Sequence, residues 1–202
     1  MSTPSGGRRT LDGMSAEPNV SIASRYASAN ASLLDVIENI TPEGWAAPSP
    51  CEGWTALDVL THLFDSQRSF LTDRGLDLGT PPDLASDPVA GWRQHSAAVQ
   101  SLLDDPEVVA TEYDGWFGRT TIGETVERFY LFDMYVHRWD IATGAGVGTE
   151  FTDAEMNMIE AAADALGDNI YRPGVCADAV AVSADAGRQE ALLARLGRVD
   201  PR

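Results

Sequence analysis

Residues 54–64, which read WTALDVLTHLF, encode the start of a helix and the beginning of its core-facing side. Thr55 and Asp58 have the spacing of a capping box, in which each side chain accepts a hydrogen bond from the other residue's backbone N–H. The pattern predicts a helix from Thr55 to about Asp73, with His62 towards its inner side. Apolar residues recur along one helical face at Leu57, Leu60, Phe64 and Leu71.

Similar signals predict further helices along the chain. Thr121 and Glu124 form a second capping box, and Asp87-Pro88 combines an N-cap residue with proline at the first helical position. Gly144 is predicted to follow the last residue of the helix that Thr121 begins. The further predicted helices cover residues 21–40, 88–103, 122–143, 152–167 and 184–196, with a short extended or hairpin element in 112–118 and a short strand in 178–183.

Four substantial helices joined by loops of uneven length indicate an all-α-dominated fold, a four-helix bundle. Residues 20–148 are predicted to form the bundle, and residues 149–202 a small C-terminal helical extension with a short strand. Residues 1–19 are rich in Ser, Gly and Pro, and we expect a disordered leader there, with Met14 as an alternative start.

The net charge, the cysteine count and the length of the apolar runs limit the classes of protein to which the chain can belong. The 202 residues carry a formal net charge of −17, which disfavours nucleic acid as a partner because phosphates would be repelled. Two cysteines do not suggest a disulfide framework, and no apolar run has the length of a transmembrane helix or signal peptide. These features predict a cytoplasmic protein without a membrane partner.

Three polar residues in the predicted helices suggest a metal site. Asp133 and His137 are four residues apart, so both project from one helical face, and they fall among apolar positions of that helix. With His62 from another helix, they would form a two-histidine, one-carboxylate set with open coordination positions. From spacing alone, a hydrogen-bonded core histidine and a local ion pair remain alternatives. The third histidine, His95, is predicted to lie on the surface.

Two segments resemble a known family. Residues 50–63, PCEGWTALDVLTHL, resemble the signature pC-x-G-W-t-x-x-d-v-x-x-H-l of the mycothiol-dependent maleylpyruvate isomerase-like proteins, which belong to the DinB-like superfamily of metal-binding four-helix bundles. Residues 133–142, DMYVHRWDIA, resemble the second signature, [DE]-x-x-x-H-x-W-D-l-a. The tail over residues 171–198 is similar to that of a short actinobacterial subfamily described only as metal-binding.

The resemblance implies a function and a ligand set. His62, Asp133 and His137 would bind the metal, most simply zinc, with nickel, iron or manganese as alternatives. Mycothiol would be the thiol co-substrate, and its activated thiolate would attack an electrophilic small molecule in an S-transfer or cis–trans isomerisation. The isomerase has glutamate where this chain has Asp133, and its C-terminal α/β domain exceeds the 65 residues that follow His137 here. Retention of the metal site is therefore predicted, whereas the family's maleylpyruvate isomerisation is not, and a homodimer is a further expectation.

Other functions remain open at this stage. A non-catalytic or regulatory bundle with a structural metal would need a fourth protein ligand, for which Cys51 and Asp65 are the candidates. A metal-activated water would instead give a hydrolase that needs no thiol. Cys51 is also considered as a reactive thiol. Two positions are considered for three tryptophans, lining the pocket or packing in the core: Trp54, Trp116 and Trp139.

Overall fold

The computed structural model describes residues 20–172 and 174–199, and helices dominate this part of the chain. The predicted all-α-dominated class is confirmed, whereas the leader predicted over residues 1–19 lies outside the described residues. The elements are α1 (Ile22–Ile37), α2 (Ala56–Thr72), α3 (Pro88–Leu103), α4 (Pro106–Val109), β1 (Glu112–Gly115), β2 (Gly118–Thr121), α5 (Ile122–Thr125), α6 (Leu131–Ala145), α7 (Asp153–Leu166) and α8 (Arg188–Arg195).

The helix starts are set by local hydrogen bonds. Thr55 and Thr121 each form both hydrogen bonds of the predicted capping box, and Thr152 does the same at the start of α7. The Asp87 side chain caps α3, which begins with a proline. Each cap satisfies backbone N–H groups that have no partner within the helix, so the starting residues could be predicted from sequence alone.

One π-helical turn joins α5 to α6. The turn spans Val126–Tyr130 and continues directly into α6, and the Leu131 N–H donates to the carbonyl of Val126, five residues earlier. A π turn inserts one residue into an otherwise α-helical rod, which rotates the following side chains by about 100° around its axis. The turn therefore sets the direction in which Asp133 and His137 leave α6.

Helix α6 is the central helix of the bundle. It packs against α1, α2 and α7, while α3 packs against α1 and α2. As a result α6 is buried on nearly all sides, a wider burial than the single inner stripe that its periodicity predicted. No described helix has the length and apolar character needed to cross a lipid bilayer.

The end of α6 differs from the prediction. The helix continues through Gly144 to Ala145, and Gly146, with φ of 71°, is the residue that ends it in the left-handed region. A Cβ at Gly144 would lie 2.9 Å from the Cα of Ser49 and 3.0 Å from the Pro48 carbonyl oxygen. Gly144 therefore permits a close approach between α6 and the loop before α2, instead of ending the helix.

The strand predicted over residues 178–183 is not formed, and the helix predicted from residue 184 begins only at Arg188. The segment contributes a backbone hydrogen bond from Val180 N–H to Ala194 O of α8. A strand requires a paired neighbour, and the strands of the described residues, β1 and β2, pair with each other elsewhere in the bundle.

The surface position predicted for His95 is wrong. Its residue is 2% exposed, and its ring lies against Phe64 and Trp92, with centroid distances of 4.8 Å and 5.5 Å. Nε2 lies 3.2 Å from Oε1 of Gln67, a buried residue whose same oxygen accepts a hydrogen bond from Tyr26. The exposed polar residues Arg93 and Gln94, which directly precede His95 in the sequence, concealed this burial.

We expect His95 to make the fold sensitive to acid. Burial, with the charge of Arg68 as a smaller cause, lowers the pKa of His95 from 6.5 to about 4. Between these pH values His95 binds a proton in the unfolded chain but not in the folded chain. The free energy of unfolding therefore falls as the pH drops from about 6.5 to about 4. The total loss of stability across this pH range is roughly 3 kcal/mol. Urea unfolding across this range should show a shallower pH dependence for His95→Gln, and equal dependence in both proteins would contradict this assignment.

Candidate metal centre

Three potential metal ligands predicted from sequence lie together in the structure. His62 projects from α2, and Asp133 and His137 project from α6, one helical turn apart. Nε2 of His62 is 3.8 Å from Oδ2 of Asp133, and one donor atom from each of the three residues lies within 4.8 Å of the others. The packing of α2 on α6 brings these residues together, which the sequence spacing could not establish.

The cluster opens to solvent on the side of His62 and Asp133. Their side chains are 35% and 32% exposed, whereas that of His137 is 11% exposed. The expectation that Asp133 is enclosed in an apolar stripe is thus only partly met, because it lies at the rim. The partly exposed edges of His62 and Asp133 make the cluster accessible from solvent.

Aromatic contacts hold the two imidazoles in place. The rings of His62 and His137 meet edge to face, with centroids 5.2 Å apart. On its other side the His62 ring lies 5.1 Å from the indole ring of Trp54. Trp54 therefore forms a wall of the cluster, whereas Trp139 is a core residue and Trp116, at the hairpin tip, is 93% exposed.

A buried carboxylate orients His137. Oδ2 of Asp140 lies 2.9 Å from Nδ1 of His137, and the Asp140 side chain is fully buried. An ionised carboxylate only accepts hydrogen bonds, so Nδ1 carries the proton and donates it. This leaves Nε2 as the unprotonated nitrogen of a neutral His137 ring, the arrangement typical of a metal-binding histidine.

Arg198 neutralises this buried carboxylate. Its Nε donates to Oδ1 of Asp140 at 3.1 Å, and its Nη2 donates to Oδ2 at 2.8 Å. Burial by itself would raise the pKa of Asp140, but the hydrogen bond from His137 and the charge and hydrogen bonds of Arg198 outweigh it. They hold the pKa at about 2. Asp140 is therefore ionised throughout the neutral range.

Cys51 completes a second group of donors but fits a metal poorly. Its Sγ lies 3.4 Å from Oδ2 of Asp140 and 4.0 Å from Nδ1 of His137. Burial, followed by the charge of Asp140, raises the pKa of the Cys51 thiol to about 12, so it remains protonated and donates to Asp140. Because Arg198 already neutralises this carboxylate, the group offers little attraction for a cation, and a reactive thiol at Cys51 is not supported.

No fourth ligand joins the first group within residues 20–172 and 174–199. Cys51 approaches the Nδ1 edge of His137, the edge already occupied by Asp140. Asp65 is exposed and belongs to neither donor group. The closed four-ligand shell of a structural zinc site is therefore not formed by either of the candidates that the sequence suggested.

Sequence reasoning missed two members of this site. Asp140 is absent from the predicted ligand set, although its position three residues after His137 places it on the same helical face. Arg198 is 58 residues from Asp140 in the chain, and no local pattern indicates that it returns to the bundle.

A comparison with protein-family models matches residues 26–142 to the mycothiol maleylpyruvate isomerase N-terminal domain. The matched segment includes His62, Asp133, His137 and Asp140, and it ends before Arg198. No curated protein and no solved structure matches the chain.

Proposed function

Because the chain belongs to the mycothiol maleylpyruvate isomerase N-terminal domain family, we propose that it is a divalent-metal-binding protein that uses mycothiol as a co-substrate. His62, Asp133 and His137 are its metal ligands in this proposal. The observation that carries it is the convergence of their donor atoms beside a His137 ring oriented by buried Asp140. The reaction class that we propose is S-transfer to, or isomerisation of, an electrophilic small molecule.

The donor set fits a divalent metal. Two imidazole nitrogens and one carboxylate oxygen suit zinc, with nickel, iron or manganese as alternatives, and three protein ligands leave positions open. Asp133 is one methylene shorter than the glutamate of the isomerase, yet its Oδ2 already lies 3.8 Å from Nε2 of His62. When bound there, a divalent cation would lower the pKa of a thiol and favour the nucleophilic thiolate.

The residues around the proposed metal orient its ligands and leave the site accessible. His137 is held by Asp140 with its Nε2 free, and His62 is held between His137 and Trp54. The partial exposure of His62 and Asp133 gives a thiol and its electrophilic partner access from one side. No residue of the cluster is assigned as a general base.

Thiol binding tests this function directly. We expect the zinc-loaded protein to bind mycothiol in isothermal titration calorimetry, and the metal-free protein to bind it at least about 10-fold more weakly. Product analysis by mass spectrometry should then show metal-dependent S-conjugation or isomerisation of epoxides, activated alkenes or alkyl halides. The metal-free protein is the matched control for both measurements.

Three results would contradict parts of this proposal. Failure to bind any divalent metal would remove it altogether. Metal binding without thiol affinity, accompanied by ester or amide hydrolysis, would favour a hydrolase. Metal binding with neither thiol affinity nor turnover would favour a non-catalytic bundle.

A further inference from the structure

The C-terminal segment reaches back to the candidate metal centre from outside the family match. Arg198 lies beyond residue 142, where the match ends, and its side chain is 9% exposed. Its guanidinium forms two hydrogen bonds with Asp140, and Nη1 donates to Leu196 O at 2.7 Å. Nη1 also lies 3.6 Å from Sγ of Cys176. The guanidinium is therefore fixed in one orientation at the inner edge of the site.

A glycine turn directs Arg198 inward. Gly197 follows α8 with φ of 77°, in the left-handed region that favours glycine, and the Arg198 N–H donates to Leu193 O. A Cβ at Gly197 would lie 2.7 Å from Cβ of Ala177 and 2.8 Å from its carbonyl oxygen. Any side chain here would displace the turn, so Gly197 is required for the placement of Arg198.

The hydrogen bonds form one continuous chain. Arg198 donates to both oxygens of Asp140, and Oδ2 of Asp140 accepts from Nδ1 of His137. A planar guanidinium holds both carboxylate oxygens in one plane, which a lysine ammonium cannot do. Without Arg198, Asp140 would keep its burial but lose the partner that fixes its orientation, and the His137 ring would lose a fixed acceptor.

We infer that Arg198 is a positioning residue of the metal centre, acting through Asp140 to hold the His137 ring in the orientation that brings it beside His62 and Asp133. The inference rests on the proposed function for the metal but concerns residues outside the matched family domain. The C-terminal segment is thereby part of the site, and Arg198 acts on the proposed ligands through Asp140 instead of binding the metal itself.

The first test uses metal-free protein and needs no activity. With ¹⁵N-labelled histidine, at a pH well above the ordinary pKa of imidazole, the His137 ring should carry its proton on Nδ1 in the parent protein. Arg198→Gln should shift the ring towards a mixture of the two tautomers, and Arg198→Lys should do so partially. The His137→Gln spectrum assigns the signals.

The second test measures metal affinity. Competition with a chromogenic chelator should show zinc bound about 10–100-fold more weakly by Arg198→Gln than by the parent, as is typical for loss of a group that orients a ligand. Gly197→Ala should weaken zinc binding in the same direction. Arg195→Gln is the matched control, because Arg195 belongs to α8 but pairs with Asp164 and should change neither readout.

The outcomes separate this inference from the proposed function. Unchanged His137 tautomer and unchanged zinc affinity in Arg198→Gln would overturn the inference while leaving the metal site intact. A parent protein with the expected tautomer but no zinc affinity would overturn the proposed function and, with it, the positioning role. If Arg198→Gln does not fold, Arg198→Lys and Gly197→Ala decide the same question, and parent-like values in both would overturn the inference.

Discussion

Metal binding is expected to disappear when His62 and His137 are both replaced by alanine. The double variant keeps only Asp133 of the proposed ligand set, and a single carboxylate oxygen holds a borderline metal weakly. We expect the affinity for zinc to fall by more than about 100-fold, or more than about 2.7 kcal/mol. Inductively coupled plasma mass spectrometry of protein purified without added metal should find about one equivalent in the parent and almost none in the variant.

Two companion variants sharpen this result. Asp65 lies one turn after His62 on α2 and is exposed, so the Asp65→Ala variant should bind as much metal as the parent. Asp133→Glu supplies the carboxylate that the isomerase has at this position and should also retain metal, with an altered preference among zinc, nickel and manganese. A double histidine variant that still holds one equivalent would place the metal elsewhere and remove the proposed site.

A second large effect is expected at the buried ion pair between α6 and α7. Glu155 accepts from Nη1 and Nη2 of Arg138 at 2.6 Å and 3.1 Å, and both side chains are almost fully buried. Glu155 also accepts from the N–H of Thr152 in the capping box of α7. Burial would raise the pKa of Glu155, but its hydrogen bonds with Arg138 and Thr152 outweigh burial and lower it.

Glu155→Ala should reduce the free energy of unfolding by about 3–5 kcal/mol, because it leaves the Arg138 charge buried without its partner. The reduction is measured as a lower midpoint of urea unfolding at neutral pH with an unchanged slope. Glu160→Ala is the matched control on the same helix: its partner Arg188 is partly exposed, so its midpoint should stay close to that of the parent.

The double variant Arg138→Met/Glu155→Leu should recover part of the loss. Replacing both charges with apolar side chains of similar volume leaves no unpaired group in the core. If Glu155→Ala is as stable as Glu160→Ala, then water or an alternative acceptor satisfies Arg138 and the pair does not hold α7 on α6.

The helices could be predicted because their signals are local. The capping boxes at Thr55 and Thr121 and the N-cap at Asp87 each involve residues at most three positions apart. Such contacts depend on residues that are close together in the sequence. The strand expected over residues 178–183 was wrong for the complementary reason, because strand formation depends on a partner that the local sequence does not specify.

The proposed ligand set could be predicted only in part from the sequence. The spacing of Asp133 and His137 places them on one helical face, but the meeting with His62 depends on how α2 packs on α6 and on the π turn before Asp133. The burial of His95 likewise could not be predicted from the sequence. Its neighbours in sequence are polar, yet its own position faces Phe64 and Trp92.

The sequence by itself therefore determined the helix starts, the all-α class, and the position of Asp133 and His137 on one helical face. Only the tertiary structure decided that His62 joins them, that His95 is buried, and that Arg198 returns to Asp140 across 58 residues. The physical reason is the range of the interactions. Caps and helical faces depend on contacts within a few residues, whereas burial and ion pairing depend on which distant surfaces exclude water from one another.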